Sequence, residues 1–246
     1  MPRTARIKSD SGIYHVILRG IGQQNIFEED RDKERFIETL KRYKNEMNFE
    51  VHAYCLMDNH VHLLIKDRKD ELERIMKRIA GSYAYYFNWK YGRKGHLFGD
   101  RFKSEPVQNE NYYLTVLRYI HKNPDKAGIL PIEKYKWSSY TEYLKSPDLI
   151  DTEFAMKLFG NKTIYIQFHL DGDKDCCMEI NDTIRLTDDM AKDIIKNIAN
   201  ANNMTQILQY DNEKRDKILK QLKENGLSIR QISRITGINR SVVLKA

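Results

Sequence analysis

The chain has 246 residues, of which 41% are hydrophobic, and its 42 Lys and Arg against 35 Asp and Glu give a formal net charge of +7. This composition supports one large or two to three small domains with real cores. No apolar run of about 18 residues is present, and residues 1–6 lack the apolar core of a signal peptide, so we expect a cytoplasmic protein with no membrane partner.

The first 145 residues alternate strands with helices. In chain order, hydrophobic periodicity predicts a strand at 13–18, a helix at 31–47, strands at 49–57 and 60–65, a helix at 71–91, a strand at 104–108 and a helix from 111. Because Pro124 disfavours helical dihedrals in the residue before it, Asn123 is expected to end that last helix. Strands interleaved with helices on a mainly antiparallel sheet predict an α+β fold.

Two histidines two residues apart stand in the predicted strand 60–65. Side chains alternate along a strand, so His60 and His62 share one face while Val61 and Leu63 point to the other. Two imidazoles on one face can hold a divalent metal ion, although ordinary strand histidines are the commoner explanation of this pattern. Titratable rings are seldom placed in an apolar strand without a use, which favours a metal site.

Tyr119 and Asn123 lie four residues apart in the helix that begins near 111. Four residues span about 6 Å along a helix, so the two side chains are neighbours on one face. Taken singly, the Asn could be a helix cap and the Tyr a core residue. Together with the histidine pair they suggest a metal site that faces a nucleophile.

The last hundred residues are less regular. Residues 146–210 are acidic, with a possible strand at 164–170 and a helix at 187–200, and are interpreted as a folded connector. A helix is predicted at 211–225, where Gly226 would stop it. Ser228 could cap a short helix and Gly237 could turn the chain into a second helix that starts at Asn239 or Arg240, as in a helix-turn-helix. The second helix is cut at Ala246, which is consistent with a truncated segment.

Three stretches resemble the single-tyrosine HUH transposases, and most closely the REP-associated tyrosine transposases. They are residues 56–65 around the histidine pair, residues 96–104, and residues 117–129 around Tyr119. Residues 19–27 and 137–140 extend the resemblance, so that it covers about residues 1–145. Asp58 stands where that family often has proline, outside the ligand set.

The resemblance implies both the fold and the roles of these side chains. It implies a ferredoxin-like or RRM-like antiparallel sheet with helices on one side, followed by a mainly helical C-terminal region. His60, His62 and Asn123 would bind a divalent metal, Mg²⁺ or Mn²⁺, and Tyr119 would attack a DNA phosphate to form a 5′-phosphotyrosine. The substrate class would be single-stranded or stem-loop DNA, cut by a monomer or a homodimer. The three expected domains are residues 1–145, 146–210 and 211–246.

Basic residues are concentrated in two segments suited to phosphate. Residues 1–145 carry 27 basic and 20 acidic side chains, and residues 212–246 carry 9 and 3, whereas residues 146–211 carry 6 and 12. In the helix-turn-helix, base contacts come from the start of the second helix. The candidate DNA contacts are Arg93, Lys94, Arg101, Lys103, Arg118, Lys122, Asn239, Arg240 and Ser241.

Three functions fit these patterns. The first is a metal-dependent tyrosine transposase or nickase acting on single-stranded or hairpin DNA. The second is a non-catalytic DNA-binding regulator that works through the helix-turn-helix. The third is a metal-dependent nuclease that uses metal-bound water, for which cleavage would continue without Tyr119. The three cysteines, Cys55, Cys176 and Cys177, show no disulfide or zinc spacing and are expected to be reduced.

Overall fold

A computed structural model describes residues 6–69, 71–99, 101–171, 177, 188–199, 207–208, 210–225, 227 and 229–245. Contacts divide the chain into two compact units, Met1–Glu179 and Ile180–Ala246. The described elements of the first unit are β1 (Ile13–Arg19), α1 (Asp30–Met47), β2 (Glu50–Met57), β3 (His60–Lys66), α2 (Leu72–Lys90), β4 (Lys103–Pro106), α3 (Glu110–Lys126), α4 (Glu153–Phe159) and α5 (Lys162–Leu170).

The strands form one antiparallel sheet in the order β2-β3-β1-β4. Residues directly opposite each other point to the same face, so the pairing defines rows of side chains across the sheet. Ile17 lies opposite both His62 and Lys103, His15 lies opposite Glu105, and Arg19 lies opposite His60. We call the face that carries these residues the histidine face. The predicted α+β class with an antiparallel sheet is confirmed.

Both faces of the two central strands are buried. On the face opposite the histidines, Val16, Val61 and Leu63 are fully buried in the core. On the histidine face, α3 packs across β2 and β3, and its Val116, Leu117 and Ile120 are also fully buried. Covering elements therefore lie on both sides of the sheet rather than on one, because a sheet with two apolar faces must bury both.

Helix α3 continues beyond Asn123. Its range, Glu110–Lys126, includes Pro124, so the prediction that Asn123 ends the helix is wrong. Proline inside a helix removes one backbone hydrogen bond and costs about 3 kcal/mol. Burial of the α3 residues on the sheet outweighs that local preference, as tertiary packing commonly does.

The predicted strand at 164–170 is wrong, since this segment is α5. Asn161 caps the helix by accepting a hydrogen bond from the backbone N–H of Ile164 at 2.9 Å. Tyr165 and His169, four residues apart, are buried against the core of the first unit. The β-branched residues of this segment favour a strand, but the helical spacing of the two buried side chains allows the helix to bury both of them.

The second unit is helical where the structure describes it. Its helices are α6 (Asp188–Ala199), α7 (Asn212–Glu224), α8 (Ile229–Thr236) and α9 (Arg240–Lys245). They share a small core that includes Leu219, Leu222, Ile232 and Val243. Gly237 has φ +77° between α8 and α9, a conformation that favours glycine. The predicted cap Ser228 and stop Gly226 lie outside the described residues.

The division into two units falls inside the predicted connector, and domain boundaries at 145 and 210 stay predictions. Helices α4 and α5 bury Ala155, Phe159 and Tyr165 in the core of the first unit. In the described part of the chain, no helix combines the length and the apolarity that crossing a membrane requires.

Candidate active site on the histidine face

His60 and His62 lie on one face of β3, as their spacing predicts. Their ring centroids are 4.9 Å apart at an interplanar angle of 82°. His62 is buried, whereas His60, at the start of the strand, is partly exposed. The pair therefore extends from the buried middle of β3 to the solvent-accessible end of that strand.

A third histidine, His15 on β1, completes this cluster and was missed from the sequence. It is fully buried, its ring stacks on His62 with centroids 5.3 Å apart, and its Nε2 lies 3.1 Å from Nδ1 of His62. Alternation along the predicted strand 13–18 puts His15, Ile17 and residue 19 on one face, but only the strand order brings that face beside His62. The sequence alone does not show that β1 pairs with β3, and this pairing is needed to identify His15 as part of the site.

The Nδ1 atoms of both β3 histidines have partners. Nδ1 of His60 lies 2.6 Å from Oδ1 of Asn59, and Nδ1 of His62 bonds with His15. Hydrogen bonding at one ring nitrogen sets the tautomer and directs metal ligation to the other. Both rings would therefore ligate through Nε2.

Burial keeps the inner histidines neutral. Burial lowers the pKa of His15 to about 3. Burial, and after it the proximity of His60 and His15, holds the pKa of His62 well below its usual range. Metal ligation requires neutral imidazole, so this environment suits a ligand.

Tyr119 on α3 faces the histidine cluster. Its ring is edge-on to His62 with centroids 5.6 Å apart and to His15 with centroids 5.8 Å apart. Only 5% of the residue is exposed. The ammonium of Lys126 lies 4.7 Å from the centroid of the Tyr119 ring, which brings a positive charge to the tyrosine. Lys126 is a further residue that we did not predict.

Asn123 lies on the same turn of α3 as Tyr119. Its side-chain Nδ2 donates a hydrogen bond to the Tyr119 carbonyl at 2.9 Å, which leaves Oδ1 as the atom that could ligate a metal. An amide oxygen with two imidazole nitrogens is a donor set that permits Mg²⁺, Mn²⁺ or Zn²⁺.

The residues of this site fit a divalent metal by the chemistry of their donors. Among the described residues, no group of three or more His, Cys, Asp and Glu side chains could hold a metal ion. The proposed set instead has two histidines and one amide, which would leave positions for water and phosphate.

Positive side chains border the histidine face. Lys103 on β4 is exposed and shares a row with Ile17 and His62. Arg19, which the sequence reasoning did not single out, lies opposite His60 in the sheet. A phosphate brought to the histidines would lie near these cations.

The other predicted DNA contacts of the first unit lie in different surroundings. Lys94 and Arg101 are exposed, and Arg93 donates a hydrogen bond to Gln24 at 2.6 Å. Lys122 is buried. Arg118 donates hydrogen bonds to the carbonyls of Phe168 at 3.0 Å and Asp171 at 2.9 Å, at the end of α5.

The three C-terminal candidates lie where α9 begins. Asn239, Arg240 and Ser241 are all exposed. The side-chain oxygen of Asn239 accepts a hydrogen bond from the backbone N–H of Ser241 at 3.0 Å, so it caps α9. Helix α8, the turn at Gly237 and α9 have the order of a helix-turn-helix, and its binding role remains a prediction.

Comparisons with known proteins find similarity to transposases. The profile of the family described as "Transposase IS200 like" matches residues 8–123. A REP-associated tyrosine transposase bound to a REP hairpin is similar in structure, with a TM-score of 0.51 and 17% identity over 59% of this chain and 87% of that chain. A transposase candidate from Deinococcus radiodurans gives a TM-score of 0.36 and 17% identity over 49% of this chain and 97% of that chain. No curated protein sequence matches at a significant level.

Proposed function

We propose that this chain is an IS200-like transposase that cleaves and rejoins single-stranded or stem-loop DNA through Tyr119, and the match of residues 8–123 to the profile of that family supports the proposal. The observation that carries the proposal is the packing of Tyr119 against His62, whose ring is buried, neutral and bonded at Nδ1. A tyrosine beside imidazoles oriented for ligation is an arrangement suited to phosphoryl transfer.

The chain's own residues would act as follows. Oη of Tyr119 loses its proton and attacks the scissile phosphorus. The bond from phosphorus to the 3′ oxygen breaks and that oxygen takes up a proton, which leaves a 3′-hydroxyl and a 5′-phosphotyrosine. Rejoining is the reverse attack by a 3′-hydroxyl, which releases the tyrosine. The covalent link conserves the phosphodiester energy, so no nucleotide cofactor is needed.

His60, His62 and Asn123 would hold the divalent metal, Mg²⁺ or Mn²⁺. When bound, it would offset the negative charge that builds on the phosphoryl oxygens. Lys103, Lys126 and Arg19 would add positive charge at the border of the same face. Burial of Tyr119 limits the access of water, which favours transfer to a DNA end over hydrolysis.

DNA is the proposed partner. The solved REP-associated transposase to which this chain is similar is bound to a REP hairpin, which supports hairpin DNA as the probe. Arg93, Lys94, Arg101 and Lys103 are the proposed contacts in the first unit, and Asn239, Arg240 and Ser241 in the second. Arg118 and Lys122 are weaker candidates, because one is bonded to α5 and the other is buried. A cytoplasmic location and a monomeric or homodimeric state stay predictions.

The direct test is a covalent adduct. The full-length chain, incubated with Mn²⁺ and an end-labelled stem-loop DNA, should give a labelled protein band that survives denaturation. Tyr119→Phe should abolish the band while binding to the same DNA persists. Tyr113→Phe is the matched control, since Tyr113 is on α3 but its ring contacts His52 and Phe154.

Two outcomes would contradict the proposal. An adduct that persists in Tyr119→Phe would show that another residue is the nucleophile. Cleaved DNA without an adduct, in both wild type and Tyr119→Phe, would indicate a nuclease that uses metal-bound water.

A further inference from the structure

Two large aromatic side chains on α2 are exposed. Tyr85 and Trp89 have 78% and 76% of their surfaces accessible, whereas Tyr83 and Phe87 on the same helix are buried in the core. The two exposed rings are four residues apart and are therefore neighbours on one helical face. Exposing two neighbouring rings leaves apolar surface in water, which suggests a partner that covers them.

The same row of α2 continues to Gly81 and Lys77, each four residues earlier. We call Lys77, Gly81, Tyr85 and Trp89 the aromatic ridge. Glycine inside a helix costs roughly 0.5–1 kcal/mol relative to alanine. A Cβ atom added at Gly81 would meet nothing within 4 Å, so packing within the chain does not require glycine there. Close approach of a bound molecule beside Tyr85 would require it.

One cation of the ridge is available to a polyanion. The other basic residues of α2 are paired with acidic residues outside the helix, Arg74 with Glu71, Arg78 with Glu46, and Lys90 with Glu29 and Asp32. Lys77 is exposed and makes no salt bridge within the part of the chain that the structure describes.

Hydrogen bonds link the C-terminal end of α2 to the histidine site. Arg93, three residues beyond α2, donates to Gln24, which in turn donates to the Leu97 carbonyl. The N–H of Gly20 donates to the carbonyl of Asn59, whose side chain contacts His60. The N–H of Ile21 donates to the Leu97 carbonyl and joins the two sets of bonds. The loop that follows α2 is thus joined by hydrogen bonds to the end of the sheet at which His60 begins β3.

We propose that the aromatic ridge binds the single-stranded flank of a stem-loop DNA, with unpaired bases stacked on Tyr85 and Trp89 and phosphates near Lys77. The inference rests on the proposed function. Exposed rings interleaved with cations bind single strands because every base has a face that can stack. Bases of a duplex are already stacked on each other, so the ridge selects the unpaired flank rather than the stem.

Fluorescence can test the stacking directly, because the chain has two tryptophans. Trp137 is buried and donates a hydrogen bond to Asp30, so Trp89 is the one open to ligand. Oligodeoxythymidylate added to the full-length chain carrying Tyr119→Phe should quench the emission. The quenching should persist in Trp137→Phe and be absent in Trp89→Phe.

Affinity measurements complete the test. Trp89→Ala and Tyr85→Ala should each weaken oligodeoxythymidylate binding by about 5- to 150-fold. Gly81→Ala should weaken it too, while leaving the thermal stability equal or higher, because alanine favours helix and meets no neighbour. Ile164→Ala, which removes an exposed side chain from α5, is the matched control and should bind as wild type does.

Unchanged affinity in the Tyr85 and Trp89 variants, with no quenching of Trp89, would overturn the proposal. A dimer in sedimentation experiments that Trp89→Ala dissociates, at unchanged DNA affinity, would overturn it in favour of a second copy. The adduct assay separates this inference from the proposed function. If the wild-type chain forms the adduct but DNA does not quench Trp89, the proposed function stands and the proposal that the ridge binds DNA is wrong.

Discussion

His15 is hydrogen-bonded to the proposed ligand His62. Its Nε2 bonds with Nδ1 of His62, whereas its own Nδ1 is buried without a hydrogen-bond partner, 4.0 Å from Oε2 of Glu105 on the neighbouring strand. If His62 ligates through Nε2, its Nδ1 carries the proton and donates it to His15. His15 can accept because burial keeps it neutral. We therefore propose that His15 is a positioning residue for His62.

Replacing His15 should weaken metal binding without removing a ligand. His15→Phe keeps a ring but loses the acceptor, and loss of such a partner typically costs 10- to 100-fold in metal affinity, about the drop we expect for Mn²⁺. Titration of Mn²⁺ followed by electron paramagnetic resonance measures it. His15→Gln, which retains an acceptor, should recover part of the loss. An equal drop in His52→Phe, a buried histidine bonded to Glu50, would mean that general packing is responsible.

At the scale of elements, α3 is held in its orientation by contacts with α5 and with the segment around Ser139. His121 bonds with His169 on α5 at 2.9 Å and with Ser139 at 2.8 Å. Arg118 reaches the carbonyls at the end of α5 and stacks on Phe168, with its guanidinium carbon 4.1 Å from the ring centroid. These contacts fix the rotation of α3 and so keep Tyr119 toward the histidines.

Arg118→Gln should therefore reduce stability more than DNA binding. Loss of charge-assisted hydrogen bonds to two carbonyls should lower the free energy of unfolding by about 1–3 kcal/mol. Urea denaturation followed by circular dichroism gives that value.

Lys126→Gln is the contrasting variant, since Lys126 is exposed over Tyr119. This substitution should weaken stem-loop binding with little change in stability. If Arg118→Gln instead weakened DNA binding with little change in stability, Arg118 would be a DNA contact.

At the scale of the molecule, the positive charge is carried by two segments. The excess is 27 − 20 = +7 in residues 1–145 and 9 − 3 = +6 in residues 212–246, and residues 146–211 contribute 6 − 12 = −6. Such a distribution suits a protein that contacts phosphates at more than one place. Each contact releases counterions, so DNA affinity should fall linearly with salt on logarithmic axes.

Titration of stem-loop binding with salt tests whether Lys103 contacts a DNA phosphate. Lys103→Gln should make the slope of log affinity against log salt shallower by about 0.9, the value for one phosphate contact on a duplex. Lys157→Gln is a suitable control, because Lys157 is paired with Glu153 on α4. If the slope is the same in Lys103→Gln and wild type, Lys103 does not contact phosphate.

Local patterns were sufficient for most of the fold. Alternating and helical periodicities predicted the four strands of the described residues and the helices α1, α2 and α3 to within a few residues, because each period is set by the backbone geometry of its element. The same patterns placed His60 and His62 on one face and Tyr119 and Asn123 on one turn. The ligand and nucleophile roles came from the family resemblance and remain proposals.

The tertiary structure decided what depends on residues far apart in the chain. The order of the strands brings His15 beside His62. Packing of α3 on the sheet stabilises that helix beyond Pro124, and burial of Tyr165 and His169 stabilises a helix at residues 162–170. It also separated the buried rings of α2 from the exposed Tyr85 and Trp89. Periodicity reports the face on which a side chain lies, whereas the partner of that face is chosen by the free energy of burying it against another element.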